Sequence, residues 1–346
     1  MRAYRPRTER PRYRYKIGRN AHRDRGDVPG RGKGYLRIGK GYKLVEVIVP
    51  ATSANLGPGF DVLGLALNIY NSFEVEEIES GLEIDILQDG GPRPSATENN
   101  LVLISAKRLF EEVGFSFKGL KITIKNDVPM GRGLGSSSTA IVGGLMAANE
   151  LSHANVPKEN LFEIAAEIEG HPDNVGPAIF GGFTISYPVD ANHRIASYAP
   201  SEKLKPLLLI PGTMLETKKA RGVLPRDISM GDAVFNISRS SLLVAALLEG
   251  NAGLLATAMQ DKLHQPYRAP LIPGLLEIIR LVGRIPGAGM ALSGAGPSLV
   301  CIIDRSEEAH IVEEINQALA DIESDQDYSI RQAEFDLEGA RVISRN

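Results

Sequence analysis

The strongest constraint on this chain lies at residues 129–139, PMGRGLGSSST, which run directly into an apolar small-residue stretch from Ala140 to Ala148. This pattern predicts a glycine loop that opens a helix. Gly131, Gly133 and Gly135 let the backbone approach an anion with no Cβ in the way. The free N–H groups and positive dipole end of the following helix would face that anion. Ser136, Ser137 and Ser138 stand where a phosphate or Mg²⁺ would sit. A flexible turn capped by serine has the same composition, so the loop carries this reading only together with its surroundings.

Those surroundings read as alternating strands and helices. Val45 to Val49 predicts a strand that delivers Asn55 and Asp61 on the loop after it, and 72–78 and 82–87 read as strands separated at Ser80 and Gly81. Asn100 is placed to cap a helix over about 101–113. Leu120 to Lys125 alternates as a strand leading into the phosphate loop, and a helix is expected over 158–169. After a strand at 181–187, Pro200 to Pro206 gather proline and charge without an apolar period, so a hinge is expected there. Beyond it, strands are expected near 207–210, 287–293, 298–303, 328–335 and 340–343. Helices are expected near 216–223, 231–249, 252–260, 274–283 and 306–319. Such a mixture indicates an α+β protein of two layered domains, placed at 44–203 and 204–346.

Charge is unevenly spread. Residues 1–43 hold 15 Lys and Arg against Glu9, Asp24 and Asp27, leaving 24 basic and 39 acidic residues for the remainder. Rich in Arg, Gly, Tyr and Pro and lacking apolar periodicity, this extension is expected to be disordered. It is the one segment with the charge to contact nucleic acid. Within it, Gly34, Gly39 and Lys40 nearly spell a phosphate-binding Walker motif, but Gly41 replaces the required Ser/Thr and no apolar strand precedes it. No apolar stretch of ~20 residues and no secretory core are read, so a cytoplasmic protein is expected. The single cysteine, Cys301, sits in an apolar run and reads as a buried thiol rather than a nucleophile. The histidines show no metal-ligand spacing.

The segment 129–138 resembles the ATP loop of the GHMP kinases. Two more segments match that family in order: PATSANLGPGFD at 50–61, in the form that homoserine kinases carry, and GAGMALSGAGPS at 287–298, the glycine loop that closes over the phosphate site. EGHPDN at 169–174 is similar to a homoserine kinase segment. The match spans roughly 44–346. It implies a first domain with a left-handed βαβ crossover and a second of ferredoxin-like type.

The resemblance also implies roles. Pro129, Met130, Gly131, Arg132, Gly133, Leu134, Gly135 and Ser136 to Ser138 would bind ATP with Gly294 and Gly296, Ser293 and Ser298 would offer hydroxyls to phosphate, and Asn99 to Val102 would lie on the adenine side. Ser137, or its neighbour Ser136, would reach Mg²⁺. The family's acidic metal ligand lies eleven residues before the active-site Asp or Asn; counting back from Asn174 gives Glu163, with Glu167 one turn later as competitor. Asp61 would pair with a substrate ammonium, Asn55 would orient it, and Arg221 and Arg268 would grip a carboxylate. His171 would line the same pocket and Thr217 would steady the transferring phosphate. Asn174 would orient the attacking hydroxyl, with the adjacent Asp173 as the rival base.

The activity this implies is ATP-dependent phosphorylation of L-homoserine, with Mg²⁺ as cofactor. A mevalonate-type kinase and nucleic-acid binding through the 1–43 extension are the alternatives. A serine hydrolase fails because no Gly-x-Ser-x-Gly elbow occurs. No membrane partner is expected, and a homodimer is left open.

Overall fold

The computed structural model describes residues 37–38, 42–87, 92–190, 192–322 and 327–343. Most of the basic extension, with its expected disorder, its near-Walker motif and its expected nucleic-acid contacts, lies outside the described residues. Its end does not: β1 (Arg37–Ile38) pairs antiparallel with the start of β2 (Tyr42–Ala54), so the first sheet begins before residue 44.

Long antiparallel strands form the first sheet. β2 pairs with β3 (Leu63–Ile78), with a register shift between Pro50 and Ala51 where proline has no N–H to give the ladder. β5 (Gly119–Asn126) runs antiparallel to β3, and β4 (Gly81–Leu87) runs parallel to β5, joined to it through α1 (Leu101–Val113). β6 (Phe183–Val189) extends the sheet from β3 and carries β7 (Asn192–Tyr198). Asn100 caps α1, its Oδ1 accepting the Val102 N–H at 2.9 Å. α1, α2 (Ser136–Ser152), α3 (Lys158–Glu169) and α4 (Val175–Phe180) cover one face, burying Val47, Phe73 and Ile122 against Leu109, Val142 and Phe162. The small-residue run in α2 lets α1 come close. A Cβ at Gly144 would collide with the Val102 carbonyl and the Ser105 hydroxyl.

β8 (Leu204–Pro211), β9 (Ala288–Leu292), β10 (Leu299–Asp304) and β11 (Tyr328–Gln332) make a second, fully antiparallel sheet in the order β11-β8-β10-β9. Five helices join β8 to β9: α5 (Thr217–Gly222), α6 (Met230–Glu249), α7 (Leu255–Ala258), α8 (Gln265–Arg268) and α9 (Leu275–Val282). α10 (Glu308–Ala320) joins β10 to β11. That is the β-α-β-β-α-β plan of ferredoxin-like domains. β8 is buried along its whole length because both faces are covered. Leu207 and Leu209 meet Ile278 and Ile311, while Leu204 and Leu208 share a core with Leu65 and Leu67 of β3 and Leu247 of α6. Cys301 lies wholly buried in the outer core, where desolvation pushes its thiol up to about 12.

Three expectations need correction. Pro206 lies inside buried β8, facing Ile302 across the ladder, and the core beneath it is shared by both sheets, so 200–206 is no hinge. The division at residue 204 is not clean: β12 (Arg341–Ile343) returns to pair with β2, and Phe335 bridges to Leu67. Among the described residues one helix, α6, is by length and composition apolar enough to cross a membrane, a stretch the sequence reading does not single out. Its Asn236, Leu243, Ala246 and Leu247 are buried within the protein.

Candidate active site

A cleft of about 390 Å³ is lined by the glycine loop, by Asn71 and Phe73 of β3, by the start of α1 and by Thr217, Arg221 and Arg268 of the helices that follow β8. Gly131, Gly133 and Gly135 all have positive φ. At Gly135 (φ 71°) space excludes a side chain as well: a Cβ there would fall against Thr52 Oγ1 and 3.2 Å from Asn174 Oδ1. The tight loop thereby sets the start of α2 beside Asn174. One end of the cleft is walled by Phe73, Asn99, Leu101 and Val102, the other by His171, Asn174, Arg221 and Arg268. Thr217, at the start of α5, lines it as well.

Most of the expected loop residues face the cleft: Pro129, Met130, Gly131, Gly133, Leu134, Gly135, Ser136, Ser137 and, from the closing loop, Gly294. Four do not. The Arg132 guanidinium turns away, donating to the Pro211 carbonyl at 2.8 Å and the Gly212 carbonyl at 2.9 Å, and so ties the loop to the end of β8. Gly296 is held against the Ser293 carbonyl instead of facing the cleft. Ser293 and Ser298 are wholly buried, the former with its Oγ 2.7 Å from the Gly133 carbonyl, so neither offers a hydroxyl to a ligand.

The acidic residue at the phosphate end is not the expected one. Glu163 forms an ion pair with Arg194 of β7, and Glu167 lies 3.7 Å from Arg108. Six residues beyond Glu163, a rotation of roughly 240° in an α-helix, Glu169 faces the loop. Its Oε1 accepts hydrogen bonds from Ser137 Oγ and, at 3.0 Å, from the buried Ser138 Oγ. No cluster of three or more His, Cys, Asp or Glu occurs among the described residues. The exposed Ser137 hydroxyl and the Glu169 carboxylate, both lining the cleft beside a phosphate loop, form an oxygen-only donor set, which fits Mg²⁺ completed by phosphate oxygens.

At the other end, charge and strain concentrate. Asp61 (φ 56°) accepts a two-pronged hydrogen bond from Arg221, at 2.7 and 3.1 Å, and therefore stands behind that arginine instead of lining the cleft. Asn55 joins two loops: its Oδ1 accepts the Asp61 N–H at 3.0 Å and its Nδ2 donates to the Gly294 carbonyl at 2.8 Å. Arg268 is 1% exposed and donates from Nη1 to the Gly294 carbonyl at 2.8 Å. Desolvation, and then the neighbouring charge of Arg221, lower its pKa to about 10, which still leaves it cationic at neutral pH. His171 pairs through Nδ1 with Asp173 Oδ1 at 2.7 Å. Burial alone would lower its pKa, but the hydrogen bond and charge of Asp173, with Glu169, carry it above 6.5.

Asn174 is buried, and its Oδ1 accepts the Thr52 hydroxyl at 2.8 Å. Thr52 lies in a segment read as important but was given no role there. The partner is 122 positions away, so no local pattern announces it.

The chain is similar to known proteins along most of its length. Residues 100–182 match the GHMP kinases N terminal domain and residues 243–321 the GHMP kinases C terminal. A homoserine kinase of Clostridium botulinum (strain Okra / Type B1) is 42% identical over 302 residues, covering 87% of this chain and 99% of the relative. A homoserine kinase of Caldicellulosiruptor saccharolyticus is 42% identical over 301 residues, covering 87% of this chain and 97% of the relative. The crystal structure of homoserine kinase from Cytophaga hutchinsonii superposes with a TM-score of 0.77 at 29% identity, covering 89% of this chain and 99% of that one. The chain belongs to the homoserine kinases of the GHMP kinase family.

Proposed function

We propose that the protein transfers the γ-phosphoryl group of ATP to the side-chain hydroxyl of L-homoserine, giving ADP and O-phospho-L-homoserine, a step toward threonine in the cytoplasm. The observation that carries this reading is a single cleft in which a phosphate-accepting loop meets His171, Asn174, Arg221 and Arg268, in a chain so similar to homoserine kinases along nearly their whole length.

Phosphoryl transfer asks a protein for alignment and charge neutralisation. In this reading the adenine lies toward Asn99 to Val102 and the triphosphate follows the loop from Gly131 to Ser137. Arg221 and Arg268 take the substrate carboxylate, and Asp61 reaches the ammonium by exchanging one of its bonds to Arg221, with Asn55 holding Asp61 in place and His171 lining the pocket. A zwitterion brings one group of each sign, so it can enter beside the Asp61–Arg221 pair without leaving a net charge uncompensated. Thr217 steadies the transferring phosphate. Asn174, its amide aimed by Thr52, orients the hydroxyl but has no useful basicity. The proton therefore passes to phosphate oxygens as the homoserine oxygen bonds to phosphorus and the bond to the ADP oxygen breaks. Ser137, with Ser136 beside it, and Glu169 would hold Mg²⁺, which supplies charge neutralisation at the phosphates.

A coupled ADP-release assay against L-homoserine, mevalonate, shikimate and galactose tests the reading. Turnover on homoserine is expected well above the other three. Equal or better turnover on mevalonate would overturn it.

A further inference from the structure

The loop 55–61 is an improbable conformation to hold unaided. Asn55 (φ 67°), Leu56 (φ 51°), Gly57 (φ 85°) and Asp61 (φ 56°) are all left-handed. Three of these four carry side chains that disfavour that region, and such strain persists only where the surroundings over-determine it. Within the loop the Gly59 N–H bonds the Asn55 carbonyl at 2.9 Å, and two further bonds to its middle come from the second half of the chain. The Gly57 carbonyl accepts from His264 Nε2 at 2.8 Å and the Pro58 carbonyl from Asn236 Nδ2 at 3.2 Å.

Both donors converge on one residue. Asp261 has a wholly buried side chain. Its Oδ1 accepts from Asn236 Nδ2 at 2.7 Å and from the Leu263 N–H at 2.9 Å. Its Oδ2 accepts the N–H groups of His264 at 2.9 Å and Gln265 at 2.7 Å. The Asn236 amide is thereby saturated, because both its hydrogens are used and its Oδ1 accepts the Lys262 N–H at 2.9 Å. His264 passes the constraint on. With Nε2 donating to Gly57, its Nδ1 is left to accept from Arg268 Nη1 at 3.2 Å, and that same Nη1 reaches the Gly294 carbonyl that Asn55 also holds.

We propose that Asp261 is a positioning residue that fixes the 55–61 loop and Arg268 through Asn236 and His264, and so sets the geometry of the carboxylate- and ammonium-binding end of the cleft from outside it. Asp261 does not line the cleft, and the glycine loop at 131–137 takes no part in this network. The kinetic consequence rests on the homoserine reading above, whereas the structural one does not.

Asp261→Asn tests the proposal, because it is isosteric but turns an N–H toward one of the donors that Asp261 now accepts. Amide hydrogen exchange is followed across the whole chain, alongside steady-state kinetics. The expected result is exchange about 10-fold or more faster within 55–61, with 131–138 unchanged, the scale of a buried hydrogen bond lost or opposed. The homoserine KM rises about 10-fold with the ATP KM within twofold. His264→Phe should act in the same direction, and His264→Gln, which keeps an N–H able to face Gly57, should recover most of the lost KM. Unchanged exchange at 55–61, or an increase shared equally by 131–138, would overturn the proposal, as would a parallel rise of both KM values. A wild-type enzyme that ignores homoserine would sink the substrate reading, and the exchange comparison would still decide the role of Asp261.

Discussion

The two ends of the cleft are built by opposite strategies. The phosphate end is contiguous backbone: residues 129–137 supply most of it, with glycines at the turns and the start of α2 behind them. The opposite end is assembled from side chains at Asn55, His171, Asn174, Arg221 and Arg268, carried by loops and short helices from both halves of the chain and fixed by bonds spanning 239 positions in one case. A contiguous anion site depends on local conformation, whereas a dispersed one depends on every long-range contact that aims its members. Substitutions should therefore act on nucleotide and substrate separately, according to the end they touch.

The largest separation is expected at the phosphate end. Glu169→Gln should lower kcat by about 10²-fold or more, because it removes the one carboxylate facing the loop serines. Glu163→Gln should leave kcat near wild type, losing only a partly exposed pair with Arg194, worth about 1 kcal/mol or less. Parallel kinetic titrations with Mg²⁺ decide between them, and a collapse in Glu163→Gln with Glu169→Gln intact would reverse the assignment.

Next comes the dispersed end. Thr52→Val should cut kcat about 10-fold while both KM values move little, since it frees the Asn174 amide without touching either ligand's charged groups. Asp173→Asn should cost far less than the ~10²-fold of a removed general base. A loss of that size with folding intact would make Asp173 the proton acceptor in place of direct transfer to phosphate.

Legibility followed the same divide. α1 occupies the residues that its Asn100 cap and periodicity predict, α3 those expected at 158–169, and the glycine loop opens α2 as read, because those signals are local. β7 was missed since its burial is shallow on both faces and gives no apolar alternation. The buried first half of β3 was missed because a strand covered on both sides loses its period. At the site, a spacing rule chose Glu163 over Glu169. Yet Glu169 heads the quoted 169–174 segment and is followed by Gly170, whose left-handed conformation (φ 87°) ends α3 at the cleft. That was the available signal. Thr52, Asp261 and the Asp61–Arg221 pairing have no such signal, because their partners meet only in the folded chain.

The smallest expected effect is on stability. His171 has a folded-state pKa above 6.5, so folding favours its protonated form. Its contribution is present in full below about pH 6.5 and is lost as pH rises through the raised folded value. Thermal unfolding of His171→Asn between about pH 5.5 and 8.5 should show a flatter pH dependence than wild type in that window. Identical slopes would mean that the Asp173 pairing does not favour the imidazolium.

Arg268→Lys puts the separation of the two ends to its most direct test, because an ammonium cannot reproduce a guanidinium whose Nη1 reaches the Gly294 carbonyl and His264 Nδ1 while its Nε holds the Ala220 carbonyl at 3.3 Å. The measurement is the pair of KM values, for L-homoserine and for ATP, in wild type and variant. A rise of about 10-fold or more in the homoserine KM with the ATP KM unchanged is the result predicted. An unchanged homoserine KM, or an equal rise in both, would contradict it.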